Sequence, residues 1–229
     1  MKNISLDRRL MAAAEFVRPD AVVADIGTDH AYLPVFLVAG DRAVRAVASD
    51  INEGPTLRAR KNVAAFGLSD KIEVRRCGGL DGYETSGVTD IVICGMGGEL
   101  IAEIIASAPF TNNEKIRLIL QPMTKAAELR RFLVGGGYSI IGEKLAACDG
   151  KIYQIICAEY SGKTDTYTDA ELIICKRFDG KDETLFRELA RRSIAELKKR
   201  KAGLEKSGRD AALEADIIKD IEKNFGGSL

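Results

Sequence analysis

Apolar and polar positions along the first two thirds of the chain predict strands and helices in alternation. Short apolar runs bounded by glycine, proline or acidic residues are typical of buried parallel strands, and segments with apolar residues at helical spacing separate them. The predicted strands are 21–26, 43–49, 72–76, 90–94 and 116–120, and the predicted helices are 5–17, 31–39, 54–66, 99–107 and 124–134. This alternation predicts a doubly wound α/β fold with a parallel sheet.

Two further predicted strands, 138–145 and 152–160, follow without an intervening helix. The Asp149–Gly150 turn region between them predicts an antiparallel hairpin. An antiparallel strand at the end of an otherwise parallel sheet is the class I methyltransferase variant of this architecture. We therefore predict a Rossmann-like sheet of that type.

The last quarter of the chain has a different pattern. Residues 161–182 are polar and contain several glycines and threonines, which indicates a domain boundary. Residues 183–225 are dense in charge and carry two apolar stripes at helical spacing, interrupted by Ser207–Gly208. We predict a coiled-coil-like antiparallel helical hairpin. The predicted domains are a Rossmann-like domain at 1–162 and the hairpin at 163–229.

Composition narrows the class of protein. The 229 residues are 46% hydrophobic, enough for one full domain plus an appendage, and the formal net charge of +0 does not indicate an anionic partner. The five cysteines form no Cys-x-x-Cys pair, and with His30 as the single histidine no zinc site is expected. Reduced cysteines favour the cytoplasm, and no apolar run is long enough to predict a membrane span. Nothing in the pattern specifies an oligomeric state.

The loop after the first predicted strand carries the first candidate site residues. Gly27 lets the chain turn sharply close to a ligand, and Asp25 and Asp29 flank it. Acidic side chains would repel a diphosphate but suit a cationic sulfonium and an amine, which favours S-adenosylmethionine over NAD. Asp50 ends the second strand and can accept both ribose hydroxyls, although a helix-capping role is the alternative. His30 is a candidate cofactor contact, with a purely structural role as its alternative.

Two glycine-rich loops follow the third and fourth strands. Gly78, Gly79 and Leu80 lie where methyltransferases place the adenine ring of the cofactor. Gly95 belongs to the predicted cofactor site, and Met96, Gly97 and Gly98 leave room for a planar base near the methyl group. An ordinary strand-to-helix turn is the alternative for that second loop.

Four segments resemble the bacterial TrmK family of tRNA (adenine-22-N1)-methyltransferases. They are 24–34, 50–55, 95–101 and 118–122, and the resemblance runs from about Ile4 to Tyr160. It implies methyl transfer from S-adenosylmethionine to N1 of adenine 22 in tRNA, with Gln121 and Pro122 in the substrate site. The family usually has Gly-Asp-Gly-Leu where this chain has Cys77-Gly78-Gly79-Leu80, so the backbone or another neighbour must contact the adenine.

The implied reaction suggests further roles. Neutral adenine N1 has an available lone pair, so the reaction requires an exposed, aligned base rather than a strong catalytic base. Asp29 is the candidate catalytic residue because its charge would favour the cationic product. Tyr32 is a candidate to stack on the base, with simple helix packing as the alternative. The rivals are methylation of another RNA or a small molecule, and a non-catalytic scaffold that binds S-adenosylmethionine or RNA.

A basic segment suggests where the tRNA backbone binds. Nine basic and three acidic residues lie between Arg187 and Arg209. A basic helix can follow a phosphate backbone, although a solvated coiled-coil face is the alternative. The predicted backbone contacts are Lys198, Lys199, Arg200 and Lys201, together with Arg8 and Arg9 near the amino terminus.

Overall fold

The computed structural model describes residues 4–176 and 183–225, and only the backbone of residues 224 and 225. Parts of the predicted boundary and of the predicted C-terminal domain, residues 177–182 and 226–229, lie outside the described residues. The chain divides into two compact units, Met1–Asp165 and Thr166–Leu229.

The first unit is built on a seven-stranded sheet with the order β3-β2-β1-β4-β5-β7-β6. The strands are β1 Ala21–Ile26, β2 Ala43–Asp50, β3 Ile72–Arg76, β4 Asp90–Gly97, β5 Arg117–Thr124, β6 Tyr138–Cys148 and β7 Lys151–Tyr160. All neighbouring strands are parallel except β7, which is antiparallel to both β5 and β6. The predicted Rossmann-like methyltransferase fold is confirmed. The antiparallel strand lies second from the edge because the chain forms edge strand β6 before it returns as β7.

Helices cover both faces of this sheet. They are α1 Arg8–Ala14, α2 Tyr32–Ala39, α3 Glu53–Ala65, α4 Gly98–Ala106 and α5 Ala126–Gly135, with a short 3₁₀ turn at Pro109–Thr111. One hydrophobic cluster joins α1, α2 and α3 to alternate residues of the sheet, among them Val92 of β4 and Ile119 of β5. Helices α4 and α5 pack on each other and on β4 and β5. Because side chains alternate across a strand, the neighbours of Val92 and Ile119 face this second layer.

Local contacts explain where the boundaries differ from the prediction. α1 begins at residue 8 rather than residue 5 because the Asp7 carboxylate accepts the Leu10 N–H at 2.7 Å and caps the helix. β4 and β5 extend beyond their predicted ends because their pairing continues through Gly97 and Thr124. The glycine-rich segment therefore forms an irregular strand end rather than a free loop.

The second unit contains α6 Asp169–Ile174, α7 Glu183–Lys206 and α8 Ala212–Phe225. The predicted helical hairpin is confirmed by the contact between α7 and α8. Helix α6 lies in the stretch predicted to be a polar boundary. Its capping box was readable in the sequence: Thr168 Oγ1 accepts the Glu171 N–H, and the Glu171 carboxylate accepts the Thr168 N–H. Among the described residues, no helix is long and apolar enough to cross a membrane.

Candidate functional site

The candidate site lies at the carboxyl ends of β1 and β4. These neighbouring parallel strands mark the point where the strand order reverses, with β2 and β3 on one side and β5 on the other. Ligands of open α/β sheets bind in the crevice at this position. The loops after β1, β2, β3 and β4 all end at this edge, and they contain most of the predicted cofactor and base contacts.

Gly27 and Met96 bring the first and fourth loops together. Gly27 has a φ of +78°, and a Cβ there would lie 2.2 Å from the Met96 methyl carbon. The amides of Gly27 and Thr28 both donate to the Ser49 carbonyl at 2.8 Å, which fixes the turn against β2. Any side chain at position 27 would strain the backbone and displace Met96.

Asp25 places a buried carboxyl group beneath this turn. Its side chain is 8% exposed. Burial raises its pKa to about 6, and the Thr28 hydrogen bond and the charge of Arg9 only partly oppose that shift. A cationic ligand group nearby would stabilise the ionised form.

Asp29, His30 and Tyr32 form a linked group at the rim. The Asp29 carboxylate pairs with the Arg58 guanidinium and lies 3.3 Å from His30 Nε2. The His30 ring stacks on Tyr32 with centroids 5.0 Å apart and an interplanar angle of 6°. Tyr32 is 44% exposed, so this face of the helix is only partly packed and a base can reach the ring. The Asp29 charge is already balanced by Arg58.

Asp50 ends β2 with one carboxylate oxygen engaged. Its Oδ1 accepts the Asn52 N–H at 2.7 Å and so orders the turn into α3. Among the described residues, the other oxygen has no hydrogen-bond partner, which leaves it available to a ribose hydroxyl. Asn52, rather than Asp50, is the residue that precedes the first turn of α3.

The third loop contains an acid that sequence reasoning missed. The Asp81 carboxylate lies 3.5 Å from the position of a Cβ on Gly78, and Ile51 Cδ1 lies 3.9 Å from it. The Asp81 N–H donates to the Gly78 carbonyl at 3.1 Å, so a turn returns this acid to Gly78. Gly79 contacts Ile104, and Leu80 is buried. An acidic residue three positions after Gly78 was the available clue.

The glycine-rich end of β4 has open space beside Gly95 and Gly97 but none beside Gly98, the first residue of α4. Gly95 is exposed with a φ of +84°, and a Cβ at Gly97 would lie 3.5 Å from the Thr124 hydroxyl. A Cβ at Gly98 would lie 2.2 Å from the Lys125 carbonyl oxygen. The space beside Gly98 is therefore filled by backbone, and a base has room only near Gly95 and Gly97.

Gln121 fixes the end of β5 against this loop. Its side chain is fully buried. Its Oε1 accepts the Gly95 N–H at 3.2 Å and Arg9 Nη1 at 2.6 Å, while its Nε2 donates to the Pro122 carbonyl at 2.8 Å. Gln121 and Pro122 thus lie at the predicted site, and Arg9 lies there too.

The basic residues predicted to bind RNA have different surroundings. Arg8 is exposed, whereas the Arg9 side chain is only 20% exposed. In the second unit, Lys198 pairs with Glu222, Arg200 with Glu214 and Lys201 with Glu205. Lys199 has no ion-pair partner among the described residues. The helical hairpin thus balances much of its own charge, as the alternative interpretation of the basic run expects.

The part of the chain that the structure describes contains no group of three or more His, Cys, Asp or Glu side chains that could hold a metal ion. The five cysteines are free thiols.

Known proteins resemble the chain over most of its length. A family model described as a methyltransferase domain matches residues 6–156. A tRNA (adenine(22)-N(1))-methyltransferase from Bacillus subtilis is 38% identical over 172 residues, which cover 75% of this chain and 72% of that protein. The structure of B. subtilis TrmK has a TM-score of 0.80 at 30% identity and covers 98% of this chain and 97% of its own. M. capricolum TrmK in complex with S-adenosyl-homocysteine has a TM-score of 0.83 at 28% identity, with coverage of 96% and 98%.

Proposed function

The chain belongs to the TrmK family of tRNA (adenine-22-N1)-methyltransferases, and we propose that the carboxyl ends of β1 and β4 are its active site. S-adenosylmethionine is its methyl donor, and N1 of adenine 22 in tRNA is the acceptor. One observation supports the placement of the site: a glycine with a positive φ, a buried acid and a strand-end acid converge where the strand order reverses.

The residues at this edge fit the cofactor. S-adenosylmethionine supplies a methyl group attached to a positively charged sulfur, next to an amine, a carboxylate and an adenosine. The Asp25 carboxyl suits the positive end, and the unpartnered oxygen of Asp50 suits a ribose hydroxyl. Asp81 replaces the acid that the family usually has at position 78 and is placed to accept from the adenine amino group. Ile51, 66% exposed, offers an apolar surface to the ring.

The acceptor side positions a base rather than activating it. Neutral adenine N1 already has a lone pair, so the chain must hold the base close and in line with the methyl group. Gly95 and Gly97 leave room for it, and Gln121 fixes the strand end beneath. Tyr32 supplies an exposed ring at the rim on which the base can stack. The Asp29 carboxylate contacts His30, which stacks on that ring, but Asp29 is already paired with Arg58, so it adds little to the stabilisation of the positive charge on the methylated product.

Binding of the tRNA body is assigned to the second unit. Its long helix α7 carries the basic run, residues 198–201, and Lys199 is the member of these four without an acidic partner among the described residues. Arg8, exposed on α1, adds a cation to the first unit. An enzyme that modifies tRNA works where tRNA is processed, so its compartment is the cytoplasm.

Labelled methyl transfer tests this function at nucleotide resolution. Incubation of the protein with tRNA and isotopically labelled S-adenosylmethionine, followed by mass spectrometry of nuclease fragments, should place one label on adenine 22. A transcript with guanosine at position 22 should receive none. Label elsewhere, or no label from a protein that binds the cofactor, would favour the rival substrates or the scaffold.

A cofactor-binding experiment tests the site separately. Asp50→Ala should weaken S-adenosylhomocysteine binding by about 1–3 kcal/mol, because hydrogen bonds to a charged group are lost. Asp70→Ala, at an exposed acid with no hydrogen-bond partner among the described residues, is the matched control. Equal affinities for both variants and the unmodified protein in calorimetry would remove Asp50 from the site.

A further inference from the structure

Thr124 is the last residue of β5, and its hydroxyl borders the space beside Gly97 into which a base fits. The two residues pair in register across β4 and β5. Thr124 Oγ1 lies 3.5 Å from the position of a Cβ on Gly97. Among the described residues it is the one atom within 4 Å of that position outside Gly97 and its two chain neighbours. The open side of Gly97 therefore ends at a single hydroxyl group.

This hydroxyl keeps its hydrogen-bonding capacity, whereas the neighbouring acceptors already have donors. Thr124 is exposed, and no residue that the structure describes forms a hydrogen bond with its side chain. Gln121 Oε1 accepts from Arg9 and from the Gly95 N–H. The Pro122 carbonyl accepts from Gln121 Nε2 at 2.8 Å. A ligand amino group that enters at this strand end therefore finds its acceptor in Thr124.

Adenine has a hydrogen-bond donor next to the atom that is methylated. Its exocyclic amino group, N6, is attached to the ring carbon on one side of N1, and the ring carbon on the other side of N1 carries only hydrogen. When N1 faces the methyl group, a hydroxyl beside the reaction centre gains a hydrogen bond only from the amino group, and a threonine hydroxyl can accept from such an N–H. We infer that Thr124 Oγ1 accepts a hydrogen bond from N6 of adenine 22, an inference that rests on the proposed function.

Methyl transfer should strengthen this hydrogen bond. The N1 lone pair forms the new bond to the methyl carbon, the carbon–sulfur bond breaks, its electron pair stays on sulfur, and no proton moves. The positive charge passes from sulfur to the adenine ring and is shared with the amino group by resonance, so N6 becomes a better donor. An interaction that is stronger in the transition state than in the ground state raises the rate of the chemical step. Thr124 should therefore affect the rate of methylation.

Two substitutions separate the hydroxyl from the shape of the side chain. Thr124→Val keeps the shape and removes the hydroxyl, and Thr124→Ser keeps the hydroxyl. In single-turnover methylation of tRNA by the full chain at saturating S-adenosylmethionine, Thr124→Val should be about 10-fold slower, the effect of one lost hydrogen bond. Thr124→Ser should stay within about threefold of the unmodified rate. Thr85→Val, at an exposed threonine with no hydrogen-bond partner among the described residues, is the matched control and should not change the rate.

A tRNA without the 6-amino group tests the partner of the hydroxyl. With purine riboside in place of adenosine 22, Thr124→Val and the unmodified protein should methylate at rates within about twofold of each other, because the bond is absent in both cases. The lower reactivity of unsubstituted purine affects both proteins alike and cancels in the comparison.

The unmodified rate in Thr124→Val with adenosine 22 would overturn the inference, because the hydroxyl would then make no contact that matters to the reaction. An equal loss in Thr124→Val and Thr124→Ser would also overturn it and would make Thr124 a structural neighbour of Gly97. So would an equal loss by Thr124→Val on the adenosine and purine substrates, which would assign the hydroxyl to another atom of the tRNA. These results are distinct from a failure of the proposed function, in which the unmodified protein would not label adenine 22.

Discussion

Gly97 and Gly98 are adjacent in the sequence, but only Gly98 is closed to any larger side chain. A Cβ on Gly98 would meet the Lys125 carbonyl oxygen at 2.2 Å and the Thr124 carbonyl oxygen at 3.0 Å, and backbone of a paired strand cannot easily move away. Gly97 has a φ of −67°, which any residue adopts, and its nearest neighbour is a side-chain hydroxyl at 3.5 Å. Gly98→Ala should therefore destabilise the fold by about 3 kcal/mol, as thermal or urea unfolding would measure.

Gly97→Val tests the place of the base. The variant should fold and bind S-adenosylhomocysteine, because Asp25, Gly27 and Asp50 are untouched, and it should lose single-turnover methylation of tRNA. A stable, cofactor-binding Gly97→Val protein with the unmodified rate would show that the base enters elsewhere. If melting temperature, cofactor affinity and activity fall together, Gly97 is a turn glycine only.

The Asp25 carboxyl makes both stability and cofactor binding depend on pH. Its pKa of about 6 lies above the ordinary value of 3.8, so the folded state holds a proton that the unfolded chain releases. Ionisation of this buried carboxyl costs the folded state free energy. That cost is absent below about pH 4, grows as the pH rises to about 6 and is then constant. Asp25→Asn should stabilise the protein on the order of 3 kcal/mol above about pH 6, by less between about pH 4 and pH 6, and by nothing below about pH 4. Urea titrations across the pH series measure this difference.

The same ionisation should strengthen binding of a cationic ligand. The affinity for S-adenosylmethionine, whose sulfur is positively charged, should increase as the pH rises through about 6 and should lose that dependence in Asp25→Asn. A pH dependence that persists in Asp25→Asn would assign the dependence to another group.

At the scale of the elements, the sequence predicted the strands and helices whose positions depend on local hydrophobic patterns. Alternating apolar runs specified the doubly wound sheet and the hairpin of β6 and β7, because each strand and helix has its own periodicity. The position of Arg9 could not be predicted, since it depends on α1 reaching Gln121, a residue 112 positions away. Asp81 was missed because only a tight turn returns it to Gly78. Helix α6 was missed although its capping box was present.

An ion pair connects the segment after α1 to the start of the central strands. The Asp90 carboxylate is fully buried and accepts from the Arg18 amide and Nε, both at 3.0 Å, and from the Thr89 hydroxyl at 2.8 Å. Arg18 Nη2 also donates to the Lys115 carbonyl. This network holds α1, and therefore Arg9, on the sheet.

Removing the positive charge of Arg18 from its pair with Asp90 should destabilise the folded state. Arg18→Met leaves the buried carboxylate without its countercharge and should lower the free energy of unfolding by about 3 kcal/mol. Arg42→Met removes an arginine whose hydrogen bonds, within the part of the chain that the structure describes, go to the carbonyls of Glu15 and Val17, and it should lower the free energy of unfolding by about 1 kcal/mol. If urea denaturation gives the same loss of unfolding free energy for both variants, the buried Asp90 carboxylate is stable without the countercharge of Arg18.

At the scale of the whole molecule, charge is distributed rather than accumulated. The chain has 34 basic and 34 acidic residues. Ion pairs inside the helical unit balance much of its basic run. RNA affinity must then arise from a local arrangement of unpaired cations, because a neutral molecule attracts a polyanion only through its patches.

The separation into two units predicts a separation of binding functions. Every residue proposed to contact the cofactor lies in the first unit, and the basic run lies in the second. A protein ending after Asp165 should therefore keep its affinity for S-adenosylhomocysteine and lose most of its affinity for tRNA. In the full chain, Lys199→Glu should raise the KM for tRNA several-fold and reduce the slope of log affinity against log salt by about one for each lost phosphate contact. Lys61→Glu, which reverses an exposed lysine of α3, controls for net charge. Efficient methylation by the shortened protein, or equal effects of the two substitutions, would limit the helical unit to a structural role.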